Sequence, residues 1–133
     1  MLRRDFLKTS AAIGAGVWLG TESSALAQSP NEKLNLAIIG VGGRGEQNLD
    51  NLTSQNIVAM CDVDEVRAAK SYAKFPKAKK FHDFRTLFDD METKIDGVVI
   101  STPDHTHFHP AFWAMERGKH VYLEKPMAHS LWE

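Results

Sequence analysis

Apolar residues along this chain alternate between two rhythms: short unbroken runs, and stripes repeating every three to four positions. The first run, Leu34 to Ile39, ends at a glycine and predicts a buried strand. Residues 46–52 are polar apart from Leu49 and Leu52, three apart, which predicts a helix with one apolar edge. Ile57 to Cys61 predicts a second strand, stopped by Asp62. Asp64 is placed to cap a helix running to about Phe75, with Val66, Ala69 and Ala73 on one side and Pro76 ending it. A weak strand is predicted near Lys80 and Phe81. Asp83 then caps a helix whose Phe84, Leu87, Phe88 and Met91 fall at i, i+3, i+4 and i+7. Ile95 to Ser101 predicts the fourth strand. Phe108, Ala111, Phe112 and Met115 repeat the helical stripe up to Gly118, and His120 to Leu123 predicts the fifth strand. Ser130 and Glu133 have the spacing of a capping box, the opening of another helix.

Five strands alternating with helices through short connections predict an α/β fold, a doubly wound parallel sheet with helices on both faces. The sheet is expected to be incomplete at its C-terminal end, because the last capping box opens a helix with no body.

The first 27 residues fall outside this rhythm. Arg3 and Arg4 stand before "DFLK", and "AAIGAGVWLG" is a short, glycine-diluted apolar run. That run is too short for a stable membrane span, which takes about 20 apolar residues. Ala25-Leu26-Ala27 supplies an A-x-A cleavage site. Residues 1–27 are therefore expected to be a twin-arginine signal peptide and residues 28–33 a linker, with a periplasmic or otherwise exported product. The rival reading is an uncut amphipathic anchor.

Composition adds little. The 133 residues hold 16 Lys+Arg against 17 Asp+Glu, so charge gives no push toward nucleic acid. The lysines at 74, 77, 79 and 80 read as a solvated face. The single cysteine, Cys61, forms no intrachain disulfide and reads as a buried core thiol.

The chemistry concentrates in the predicted loops. "GVGGRG", Gly40 to Gly45, follows a strand and enters a helix, the context a G-x-G-x-x-G dinucleotide loop requires. Gly40 allows the tight turn, Gly42 admits a pyrophosphate and Gly45 lets the helix pack on the strand. The helix N-terminus, with Gly43 and Arg44, would face the phosphates. Asp62 ends the second strand, where an acid would bind the adenosine ribose and repel a 2′-phosphate. NAD is expected, NADP less so. "STPDHTHFHP" follows the fourth strand and should border the same crevice. Its His105, His107 and His109 alternate, but two prolines turn the segment into a helix, so the rings should diverge and no metal site is expected. "LEKP" follows the fifth strand, and Lys125 could exchange a proton with a substrate hydroxyl.

Together, "GVGGRG", "CDVD", "STPDHTH" and "GKHVYLEKPMA" resemble the glucose–fructose oxidoreductase, inositol dehydrogenase and rhizopine-catabolism protein (Gfo/Idh/MocA) family over almost all of residues 34–133. The resemblance implies an NAD(P)-binding Rossmann domain. It implies a nicotinamide site along Ser101, Thr102, Pro103 and His107, closed by Glu124 and Lys125. It makes Lys125 the catalytic group between nicotinamide and substrate. It also implies a second α/β domain that supplies most substrate contacts, so the chain is expected to be a truncated member and inactive alone. The longer parent would be an oxidoreductase acting on a sugar, polyol or sugar derivative by hydride transfer. No nucleic acid partner is expected, and a homo-oligomeric parent is compatible with the resemblance. An NAD-dependent glycoside hydrolase of the same family, a non-catalytic dinucleotide-binding module and a metal hydrolase are the alternatives.

Overall fold

The computed structural model describes residues 32–133; the expected leader and most of the expected linker lie outside them. The elements run β1 (Asn35–Ile39), α1 (Arg44–Asn51), β2 (Asn56–Cys61), α2 (Glu65–Lys74), β3 (Lys79–Phe81), α3 (Phe84–Met91), β4 (Gly97–Ile100), α4 (Phe108–Glu116) and β5 (His120–Leu123). Single turns of 3-10 helix follow α3 at Glu92–Lys94 and precede α4 at Asp104–Thr106.

The five strands form one sheet in the order β3-β2-β1-β4-β5, and every pairing is parallel. This is the Rossmann order, in which the chain reverses direction across the sheet between β1 and β4. Alternation along β1 divides the core. Leu36 and Ile38 join Leu49, Met60, Ala68 and Tyr72 under α1 and α2. Ala37 and Ile39 join Leu87, Phe88, Met91, Ala111 and Ala114 under α3 and α4. The register slips between Leu36 and Ala37, which pair with Ile57 and Ala59. Val58 is the extra residue, so Val58 and Ala59 both pack toward the α3/α4 side.

Asp64 caps α2 by accepting from Val66 and Arg67 N–H, and Asp83 caps α3 by accepting from Arg85 N–H. The α3 stripe packs as the periodicity predicts, with Leu87, Phe88 and Met91 buried. Two other helices differ. In α2, Val66, Ala69 and Ala73 face outward, and Ala68, Ser71 and Tyr72 are the buried residues. Ser71 can go inside because its hydroxyl donates to the Val41 carbonyl at 2.6 Å. In α4, Phe112 and Met115 are exposed, while Pro110, Ala111 and Ala114 are buried. Small residues let α4 lie close to the sheet, and the large rings are left outside, where Phe108 stacks on Phe112.

The lysine cluster is a solvated face: Lys74 pairs with Asp50, Lys79 with Asp90, and Lys80 lies over the Tyr72 ring. The Ser130–Glu133 box forms its reciprocal bonds, Ser130 N–H to Glu133 Oε2 at 3.1 Å and Glu133 N–H to Ser130 Oγ at 3.4 Å. Residues 124–133 themselves are neither helix nor strand.

The two faces of α2 and α3 set up a direct check. Phe88→Ala, at a fully buried position, is expected to lower stability by about 3–5 kcal/mol. Val66→Ser, at a position 87% exposed, is expected to stay within about 0.5 kcal/mol. Denaturant unfolding of the two variants measures both.

Candidate functional site

The switch point between β1 and β4 brings the glycine loop against the loop after β4. Gly40 has φ +81° and its amide donates to the Cys61 carbonyl at 2.8 Å. A β-carbon on Gly40 would stand 2.8 Å from the Thr102 nitrogen, and one on Gly45 would stand 1.7 Å from the Gly40 oxygen. No side chain fits at Gly45 without moving backbone, so glycine there is what allows α1 to begin directly over the end of β1. The constraint at Gly42 is different from the one expected. Its β-carbon would meet Arg67 Cβ at 3.1 Å, so the first turn of α2 already crowds that position.

Asp62 holds this loop. Its Oδ2 accepts from Val41 N–H at 2.9 Å and Gly42 N–H at 3.0 Å, and its Oδ1 accepts from Asp64 N–H at 3.0 Å. The carboxylate is half-buried at the end of β2 and keeps accepting capacity on Oδ1. Among the described residues the amides of Gly43 and Arg44, at the start of α1, find no acceptor. Two open N–H donors at a helix N-terminus suit an anionic phosphate. On the β4 side, Thr102 Oγ1 is a buried oxygen with no hydrogen-bond partner. Open donors on one wall and an orphaned hydroxyl on the other fit the polar groups of a dinucleotide.

Three further residues sit differently from a simple ligand-lining picture. Arg44 directs its guanidinium to Glu124 Oε1 at 3.2 Å and Gln47 Oε1 at 2.8 Å, within the chain's own surface. Ser101 Oγ accepts from Asn48 Nδ2 at 2.9 Å. His107 is only 2% exposed, with Nδ1 2.6 Å from the Pro126 oxygen and Nε2 2.7 Å from the Thr102 oxygen. Both ring nitrogens face backbone carbonyls, so His107 belongs to the wall and offers no nitrogen to a nucleotide. Pro103 and Lys125 are exposed. Among the described residues Lys125 makes no ion pair and no side-chain hydrogen bond.

The histidines of the β4 loop do diverge: His105 turns to Asp104, His107 into the wall and His109 against Phe108. Among the described residues no group of three or more His, Cys, Asp or Glu is placed to hold a metal. Cys61 is buried beside Asp62, and burial pushes its thiol up to about 12, which keeps it protonated and unreactive.

Asn48 carries no sequence signal of its own, yet it ties three elements together. From the second turn of α1, its Nδ2 reaches Ser101 Oγ and Glu124 Oε1 at 2.8 Å. Those partners lie 53 and 76 positions away, so no local pattern announces them. The Asn48 hydrogen bond, followed by Arg44, holds the Glu124 carboxyl below its ordinary value of 4.5.

A depressed carboxyl stabilises the folded chain above its unfolded value, and the contribution fades as pH falls below 4.5 through the folded value. Asn48→Ala is expected to move the Glu124 titration up toward 4.5. It should also weaken nucleotide binding less than Gly45→Ala, which displaces α1 itself. Carbon-13 detected titration of the glutamate carboxyls reads the first expectation, and calorimetry the second.

Comparison with known proteins places this geometry. A glycosyl hydrolase family 109 protein of Solibacter usitatus is 34% identical over an alignment of 152 positions, gaps included, covering 98% of this chain and 35% of that protein. Inositol 2-dehydrogenase 2 of Saccharopolyspora erythraea is 35% identical over 71% of this chain and 29% of its own. Scyllo-inositol dehydrogenase of Lactobacillus casei, solved with NAD(H) and scyllo-inositol, superposes with a TM-score of 0.63 at 26% identity. That match covers 74% of this chain and 30% of the dehydrogenase. The chain thus spans about a third of the length of these relatives. Residues 34–133 match, as one stretch, the oxidoreductase family with the NAD-binding Rossmann fold, and the chain belongs to that Gfo/Idh/MocA family.

Proposed function

We propose that this chain is the nucleotide-binding part of an NAD-dependent oxidoreductase whose substrate is a sugar, polyol or sugar derivative. One observation carries the reading. The glycine loop with its open amides follows β1 and the exposed Lys125 follows β5, so both stand at the same carboxyl-terminal edge of the parallel sheet, on either side of β4. Bound NAD supplies the acceptor for a hydride leaving a substrate carbon. The chain's own residues do the rest. The amides of Gly43 and Arg44 bind phosphate. Asp62 accepts from the ribose hydroxyls and repels a 2′-phosphate. Thr102 Oγ1 gains a partner on the nicotinamide side. Lys125, acting as the neutral amine, takes the proton of the reacting hydroxyl as the hydride leaves the carbon. The inositol dehydrogenases among the relatives support a polyol-like substrate. Most other substrate contacts of the whole protein lie outside this chain on this reading.

A second reading rests on the Solibacter relative, named a family 109 glycosyl hydrolase. There NAD would serve a transient oxidation during glycoside cleavage. It predicts release of a free sugar with no net accumulation of reduced nucleotide, whereas the dehydrogenase reading predicts stoichiometric accumulation.

Nucleotide choice and proton transfer are tested together. Offered NAD and NADP at equal concentration, the chain should retain mainly NAD. Asp62→Asn keeps an acceptor for the Val41 and Gly42 amides but removes the charge, and should raise NADP affinity about tenfold, roughly 1.4 kcal/mol. In the longer protein, Lys125→Ala should keep NAD binding and lower turnover by about 10²–10⁴-fold. Retention of mainly NADP, or undiminished turnover without Lys125, would each remove the corresponding assignment.

Export by the twin-arginine route belongs to the same reading. Arg3, Arg4 and Ala25-Leu26-Ala27 support it, and the Solibacter match runs far enough to take in most of the leader. Exported material should begin at Gln28, and replacing Arg3 and Arg4 by lysine should leave the precursor in the cytoplasm. N-terminal sequencing and fractionation read both; unchanged export of the lysine variant would exclude the route.

A further inference from the structure

The segment that carries Lys125 has little to hold it. Among the described residues β5 is a four-residue edge strand paired with β4 alone, and residues 124–133 form no helix or strand. Yet both neighbours of Lys125 are pinned. Before it, the Glu124 amide donates to the Ile100 carbonyl at 3.1 Å, and the Glu124 carboxylate accepts from Asn48 and Arg44. After it, the Pro126 carbonyl faces His107 Nδ1 at 2.6 Å.

His107 is itself rigid. It stands at the start of α4, its amide donating to the Asp104 carbonyl and its carbonyl accepting from the Ala111 amide. Its ring is buried, and Nε2 meets the Thr102 carbonyl at 2.7 Å. One ring therefore touches the loop after β4 and the loop after β5 at once. Carbonyl oxygens only accept, so the contacts require donation from the ring. A neutral imidazole donates from one nitrogen, according to its tautomer, and a doubly protonated one from both.

We propose that His107 is a positioning residue that staples the Thr102 carbonyl to the Pro126 carbonyl and so fixes Lys125 beside the nicotinamide half of bound NAD. This rests on the NAD-dependent reading above. No shorter polar side chain can replace the staple. An asparagine amide nitrogen falls near the place of Nδ1 and keeps only the Pro126 contact. A glutamine amide nitrogen falls near Nε2 and keeps only the Thr102 contact. The consequence is geometric: a misplacement of about 1 Å at a reacting group can cost 10²-fold, so a loosened Lys125 would lose function while the nucleotide still binds.

Lysine acetylation with a trace of acetic anhydride, read by mass spectrometry with and without NAD, tests this on the chain itself. Lys94 and Lys119, remote from the crevice, serve as internal references. In the native chain NAD should protect Lys125 selectively. His107→Asn and His107→Gln should bind NAD within about threefold of the native chain yet lose that protection, a fall from about tenfold toward unity. Lower melting temperatures with protection intact in both variants would show a merely structural role and overturn the inference, leaving NAD binding in place. Bound NAD that never protects native Lys125 would overturn it as well. A native chain that binds no NAD would overturn both this inference and the reading beneath it. A measurement without substitution guards against variants that fail to fold. In the native, NAD-bound chain both His107 ring protons should exchange slowly and show through-hydrogen-bond couplings to the carbonyl carbons of Thr102 and of Pro126; coupling to one carbonyl alone would overturn the two-point staple. Ring protons exchanging at the solvent rate would overturn the staple directly.

Discussion

Everything in this site depends on how closely α1 approaches the end of β1. The Gly45 α-carbon sits where a methyl group would overlap the Gly40 carbonyl oxygen. That contact lets a helix begin only four intervening residues after a buried strand, with its first amides over the carboxyl end of the sheet. It also sets the angular phase of α1. With Gly45 down against the strand, Leu49 falls one turn later into the core, and Asn48 beside it points across β4 to Ser101 and Glu124. One backbone-on-backbone contact thus places both the phosphate-binding end of the helix and the polar tether to the β5 loop.

The crevice walls are built from polar groups that satisfy one another before any ligand arrives. Asp62 takes the amides of the glycine loop, Asn48 takes Glu124, and His107 takes two carbonyls. Each removes a floppy alternative from the loops, and among the described residues the groups left open include the amides of Gly43 and Arg44, the Thr102 hydroxyl and the Lys125 side chain. Preorganisation of this kind costs the protein conformational entropy at folding and spares it at binding.

The fold was legible where local physics is strong. The unbroken apolar run of β1, the aspartate caps of α2 and α3 and the 3-4 stripe of α3 all appear as their residues predict. The buried faces of α2 and α4 were not legible, because hydrophobicity was the guide and close packing used small residues instead. Ser71 goes inside against a carbonyl no pattern could foresee, and Ala111 and Ala114 outcompete Phe112 and Met115 for the sheet. The motifs of the site were readable as motifs, but the partners were not. Arg44 could be placed at the helix start, not in its pairing with Glu124, which is 80 positions away. His107 could be placed in a loop, not as the link between two.

The buried thiol of Cys61 has a practical meaning beyond its inertness. It lies at the C-terminal end of β2, covered on the side that α3 and α4 share, and reaches solvent only when that layer lifts from the sheet. As the chain's sole sulfhydryl, it is a stopwatch built into the protein. The rate at which a thiol reagent labels it counts openings of the central sheet, with no introduced dye and no background from a second site.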